Sequence, residues 1–179
     1  MLTRDNTALV VIDVQEKITE VMHDKNRLLS SLQRLIRGAN VLEIPVILTE
    51  QYPQGLGATV PEVREVLESY EPIEKMAFSC CNVDSFMTAV EKTGRKNILV
   101  SGIEAHVCVY QTVMQFLQSD FHIEVVADAV SSRAEHNIET ALIKMRDYGA
   151  DVTTVEMALF ELLEVAGSDR FKQVSRIVK

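Results

Sequence analysis

The 179-residue chain is short of several things, and each shortage narrows what it can be. Basic residues are in deficit: 18 Lys plus Arg stand against 26 Asp plus Glu, a net charge of −8. A nucleic-acid binder normally carries a basic face, so that class is disfavoured. No apolar run is long enough to cross a bilayer. The first residues pass into an apolar strand-like run too soon for a signal peptide. With no targeting segment read, a cytoplasmic location and reduced thiols are expected. There is no long Gly, Ser or Pro tract and no internal repeat, so 1–179 reads as one domain. At 47% hydrophobic residues it can bury a sizeable core.

Cysteine is scarce: Cys80, Cys81 and Cys108 are an odd number, and two of them are adjacent. Adjacent cysteines pair badly because the geometry is strained. Cys80 and Cys81 are expected to pack beneath Phe78 as reduced thiols. The four histidines, His23, His106, His122 and His136, show no metal-ligand spacing. No catalytic metal and no cofactor is expected.

Against this background the run around Cys108 stands out. Residues 97–101 are apolar and suit a buried strand, 102–105 form a turn, and helical spacing follows from His106. Cys108 is thus expected in the first turn of a helix that follows a strand. Unpaired N–H groups and the positive helix end favour a thiolate there, with a pKa below the free value of about 8.5. A lone cysteine is more often an inert small hydrophobe, so its partners decide.

Two partners sit at other predicted strand ends. Residues 8–12 are continuously apolar and rich in β-branched residues, which suits a central parallel strand, and Asp13 follows directly. A carboxylate there is costly unless partnered. Residues 70–74 read as a weak strand, and Lys75 follows. Ligands bind at the carboxyl ends of strands in open α/β sheets. Asp13 is placed to take the thiol proton, Lys75 to steady the charges and Cys108 to attack a carbonyl. No glycine-rich phosphate cradle follows Asp13, which argues against a nucleotide-binding flavodoxin-like protein.

A coarse reading places helices at 27–42, 61–67, 83–93, 135–148, 157–165 and 171–178, and further strands at 46–49, 121–127 and 151–155. The alternation predicts a single-domain, three-layer α/β/α fold with a mainly parallel sheet of about six strands. The loop 51–57 is expected to overhang the carboxyl edge. Gln51, Tyr52, Leu56 and Phe78 are candidate pocket residues. Asp128 and Arg133, after the fifth strand, are expected to pair or to cap the next helix. Glu104 faces either the pocket or an adjoining subunit.

The motifs Val10-Val11-Ile12-Asp13-Val14-Gln15, Lys75-Met76-Ala77-Phe78-Ser79, Ser101-Gly102-Ile103-Glu104-Ala105-His106-Val107-Cys108 and Val126-Ala127-Asp128-Ala129-Val130-Ser131-Ser132-Arg133 resemble those of the isochorismatase-like cysteine hydrolase superfamily. Thr49-Glu50-Gln51-Tyr52-Pro53 and the segment that follows are most similar to the isochorismatase domain-containing protein branch. The resemblance implies the isochorismatase-like fold and a catalytic triad of Asp13, Lys75 and Cys108. It also implies a cis peptide between Ile103 and Glu104, with the amides of Glu104 and Cys108 as oxyanion donors, and a homo-oligomer. The implied activity is hydrolysis of a small amide or related carbonyl compound through a thioester. Cys108 argues against isochorismate itself, because vinyl-ether-cleaving members lack the cysteine. Relatives that bind metal use histidines after the second strand, and Glu50-Gln51-Tyr52-Pro53 has none. The competing expectation is a catalytically silent interaction protein that keeps the triad.

Overall fold

A computed structural model describes residues 1–179. Six strands form one sheet in the order β3-β2-β1-β4-β5-β6, and every adjacent pair is parallel. They are β1 (Thr7–Ile12), β2 (Val46–Gln51), β3 (Ile73–Lys75), β4 (Asn97–Ile103), β5 (His122–Ser131) and β6 (Asp151–Thr153). The order reverses direction between β1 and β4, the place where open α/β sheets open a crevice at their carboxyl ends.

The continuous apolar run of β1 is explained by burial on both faces. Leu9 and Val11 point into one core, and Ala8, Val10 and Ile12 into the other. The first core is closed by α2 (Lys25–Val41), α4 (Pro61–Arg64), α8 (Val155–Leu163) and α9 (Asp169–Ile177). The second is closed by α5 (Asp84–Thr93), α6 (Tyr110–Phe116) and α7 (Glu135–Asp147). Leu28, Leu32, Leu35, Ile36 and Ala39 line the buried stripe of α2, as their spacing predicts. Two single turns, α1 (Glu16–Thr19) and α3 (Pro53–Leu56), stand over the carboxyl edge. No helix is long and apolar enough to cross a membrane.

Several boundaries differ from the sequence expectation. Lys75 is the last residue of β3 and does not follow it. β5 runs on to Ser131, past a register break against β4 between Val100 and Gly102. Asp128 therefore lies inside a strand. Its carboxylate accepts from Val155 N–H at 2.9 Å and caps α8, two elements further along the chain than expected. Residues Ala105–Val109 form a π-helical turn, so Cys108 precedes α6 and is not in the first turn of an α-helix.

Gly102 pairs with Ile12 across the β1–β4 crevice at φ 109°. A Cβ there would fall on the Ile12 backbone, so only glycine lets the two strands approach this closely.

Candidate active site

The site is assembled from the carboxyl ends of four strands. Asp13 leaves β1 at φ 53°, a left-handed conformation that turns its carboxylate back over the sheet. It is 1% exposed. Its Oδ1 accepts from Thr49 Oγ1 of β2 at 2.7 Å. Its Oδ2 lies 2.6 Å from Lys75 Nζ, an ion pair with both side chains almost wholly buried.

The alignment of that pair matters. Lys75 Nζ donates to Gln51 Oε1 at 2.7 Å and to the carbonyls of Ala77 and Phe78 at 3.2 Å each. With Asp13 Oδ2 these acceptors make four oxygens around three ammonium hydrogens, so at least one hydrogen is shared. At 2.6 Å Asp13 Oδ2 is the nearest of the four oxygens around the ammonium, a charge-assisted contact. A buried carboxylate is costly unless it is partnered in this way. Burial pushes the Lys75 ammonium down, but Asp13, with smaller contributions from Cys80 and Cys108, outweighs it and the net shift is upward.

Two glutamines hold this arrangement. Gln15, fully buried, donates to the carbonyls of Gln51 at 2.9 Å and Gly57 at 2.7 Å and accepts from Gln51 N–H at 2.7 Å. Gln51 pairs with Lys75 in register and also donates to Met76 O. Beneath the loop, Glu50 Oε1 accepts from Thr59 N–H, Thr59 Oγ1 and Tyr70 O–H at 2.6, 2.7 and 2.5 Å. Burial, followed by this bond to Glu50, raises the Tyr70 phenol. Thr49, Gln15 and Glu50 were not among the expected site residues.

Cys108 opens on the same cavity as Asp13. The cavity measures about 110 Å³ and is lined by Asp13, Ile18, Gln51, Leu56, Phe78, Ile103, Glu104, Val107 and Cys108. A larger cleft of about 400 Å³ runs along the starts of β2 and β3 and has no cysteine, lysine or histidine in its lining. Of the expected pocket residues, Gln51, Leu56 and Phe78 line the cavity and Tyr52 does not. Tyr52 opens α3 at φ 39°, is 47% exposed and lays its ring over Gly55.

The electrostatics of Cys108 run against the expected thiolate. Burial pushes its thiol from 9.0 up to about 12, the Asp13 charge adds to the rise, and Lys75 opposes it. The π-turn gives no α-helical N-terminus to offset this. Cys108 therefore rests as a thiol, facing the same cavity as the Asp13 carboxylate. Cys80 is fully buried, its thiol raised to about 11, and its N–H donates to Thr112 Oγ1 at 3.0 Å. Cys81 is raised to about 12, again chiefly by burial. All three cysteines are free.

The peptide between Ile103 and Glu104 is cis. The Glu104 carbonyl accepts from Val107 and Val109 N–H at 3.0 and 3.2 Å. Its carboxylate, at the cavity wall, pairs with Arg133 Nε at 3.1 Å and accepts Arg133 N–H at 3.2 Å. Arg133 thus pairs within its own chain.

Comparison with known proteins bears on the family and the fold. The isochorismatase domain model matches residues 7–157. A secreted isochorismatase effector of Phytophthora sojae is 36% identical over 179 residues, covering 97% of this chain and 85% of that protein. Human isochorismatase domain-containing protein 2 is 34% identical over 175 residues, covering 97% and 83%. Among solved structures, one described as MAR1 ribonuclease from Caenorhabditis elegans superposes with a TM-score of 0.92 at 38% identity, covering 99% of this chain and 91% of that one. The YcaC product of Escherichia coli, described as an octameric hydrolase of unknown specificity, superposes at 0.92 with 23% identity, covering 98% and 88%, a likeness of fold alone.

Proposed function

The chain belongs to the isochorismatase family, a family of hydrolase-like α/β proteins, and on that premise we propose that it is a cysteine-dependent hydrolase of a small amide or related carbonyl compound. The observation that carries this reading is the buried Asp13–Lys75 ion pair, whose carboxylate lines one cavity with Cys108.

The steps follow from that geometry. As Cys108 Sγ bonds to the substrate carbonyl carbon, its proton passes to Asp13 Oδ2. The carbonyl π pair moves to oxygen, where the backbone amides of Glu104 and Cys108 stabilise it. Lys75 stays charged and keeps the spent base close by. Collapse of the tetrahedral intermediate breaks the carbon–nitrogen bond, and the departing amine takes the proton from Asp13. A thioester is left on Cys108. Water then attacks it, giving a proton to Asp13; as the carbon–sulfur bond breaks that proton passes to sulfur, restoring the thiol and releasing the acid product. Proton transfer concerted with attack suits a thiol held up near 12 better than a pre-formed thiolate does.

Cavity size bounds the substrate. About 110 Å³ is well below the roughly 300–1,000 Å³ of drug-sized ligand sites. Ile18, Leu56, Phe78 and Val107 make much of the wall apolar. The Caenorhabditis elegans neighbour is described as a ribonuclease. A net charge of −8 and a cavity this small weigh against RNA here. The proposal keeps a homo-oligomeric, cytoplasmic protein, with the octameric Escherichia coli neighbour as support for the first and the secreted Phytophthora relative as a contrast to the second. Light scattering tests assembly: a mass that stays at 20.1 kDa on concentration rejects the oligomer.

The deciding experiment is ammonia release from small primary amides, N-carbamoyl compounds and aryl amides, with RNA in the same panel. Wild type is expected to hydrolyse at least one small substrate, and Cys108→Ala to lose about a thousandfold or more. Equal release by both proteins overturns the thiol mechanism. Cys108-dependent cleavage of RNA alone replaces the substrate class. No turnover by either favours the silent interaction protein.

A further inference from the structure

At the edge of the sheet opposite Cys108, three side chains of metal-ligand type meet. His122 opens β5, Glu124 lies two residues further on the same face, and Asp151 opens β6 opposite Glu124 in register. His122 Nε2 is 3.2 Å from Glu124 Oε1 and 3.3 Å from Asp151 Oδ2. That nitrogen carries at most one hydrogen, so it satisfies one carboxylate and not both. The Glu124 side chain is 8% exposed, yet it receives no hydrogen bond from outside the trio. No lysine or arginine pairs with Glu124 or Asp151. Two adjacent carboxylates, one of them buried, thus share a single hydrogen.

We infer that His122, Glu124 and Asp151 form a site for a divalent transition-metal ion of the zinc class, bridging the starts of β5 and β6. A tetrahedral ion with bonds of about 2.0–2.2 Å places its ligands roughly 3.3–3.6 Å apart. The His122–Asp151 spacing of 3.3 Å meets the lower limit of that range, the His122–Glu124 spacing of 3.2 Å falls just under it, and all three ligand atoms lie within 4.8 Å of one another. Imidazole selects zinc-class ions over calcium or magnesium, which prefer all-oxygen shells. His122 is 38% exposed and Asp151 67%, so solvent can enter and supply a fourth ligand. The ion would tie β6, a three-residue edge strand, to β5. It stands apart from Cys108 and takes no part in the proposed hydrolysis.

Calorimetric titration of Zn²⁺ into metal-free wild type, Cys108→Ala, His122→Gln and Asp151→Asn proteins tests this. The expected result is one equivalent bound by wild type and Cys108→Ala, with affinity at least about tenfold weaker in both other variants. Zn²⁺ should also raise the melting temperature of wild type and not of His122→Gln. Asp151 is exposed, so Asp151→Asn reports even where His122→Gln disturbs the fold. Failure of wild type to bind, loss of binding in Cys108→Ala, or unchanged affinity in Asp151→Asn overturns the site. Because none of these readouts is turnover, they stand or fall separately from the hydrolase.

Discussion

Asp13→Asn should make the Cys108 thiol more acidic and at the same time remove hydrolysis. Burial first, then the Asp13 charge, hold the thiol at about 12, and Lys75 works against them. At pH 8 a thiol at 12 lies four units below its midpoint, so about one molecule in 10⁴ is thiolate. Asparagine keeps an oxygen for Thr49 but removes the negative charge, leaving Lys75 unopposed. Each unit by which the thiol then falls multiplies the thiolate about tenfold. Lys75 keeps its three acceptors on Gln51, Ala77 and Phe78, so the ammonium is still solvated by protein. Turnover should nevertheless drop about 10²–10⁴-fold, the usual worth of a positioned general base. The assay is ultraviolet thiolate absorbance against pH, taken as the difference from Cys108→Ala so that Cys80 and Cys81 cancel. Ammonia release is followed in parallel, with circular dichroism to confirm folding. An inflection that stays put or rises in Asp13→Asn refutes the reasoning. So does a wild-type inflection at or below about 8.5, the value for a free thiol.

Lys75→Met leaves a buried carboxylate with Thr49 as its one donor and should cost about 3–5 kcal/mol. For a domain of this size that is a fall of roughly 6–20 °C in melting temperature; calorimetry showing under about 1 kcal/mol would contradict the pairing. Thr49→Val removes a 2.7 Å bond to an ionised group, so urea unfolding should report a loss of about 1.5–3 kcal/mol together with a lower kcat. The folded values of Lys75, Cys80, Cys81 and Cys108 all lie above their ordinary ones. Their contribution to stability is fully present below the unfolded values and is lost as pH rises through the folded ones, because the unfolded chain gives up protons first. Urea midpoints should therefore fall between about pH 9 and about pH 12, and a midpoint that climbs in that window counts against the burial of these groups.

Much of this was legible in the chain, for identifiable reasons. A run such as 8–12 with no polar interruption has few homes except a strand covered on both faces. The α2 stripe repeats often enough to fix a helix and its buried side. Asp13 and Cys108 were found because each follows such a run. What was hidden depends on contacts distant in sequence. β3 is three residues long and is defined by its register with β2, so the sequence places the strand at 70–74 and Lys75 just after it. Thr49 is β-branched inside an apolar strand, and nothing local says that its hydroxyl meets a carboxylate. Gln15 acts on the backbone at Gln51 and Gly57, at and beyond the end of β2, with α1 and α2 in between. The resting state of Cys108 was misjudged because the reading assumed a regular helix start, where the chain makes a π-turn beneath a closed wall. His122 and Asp151 show no spacing rule, since the pairing of β5 with β6 alone brings them together.

Gly102 has a bearing on how this scaffold can be repurposed. The gap between β1, which leads to the proposed base, and β4, which leads to the proposed nucleophile, is set by the absence of a side chain, against main chain that cannot swing aside. Any other residue there would wedge β1 from β4 and shift Asp13 relative to Cys108. The frame of the reaction is therefore rigid against mutation, and variation has to enter elsewhere. Libraries seeking a new substrate belong at Ile18, Leu56, Phe78 and Val107, whose side chains line the cavity without supporting the crevice.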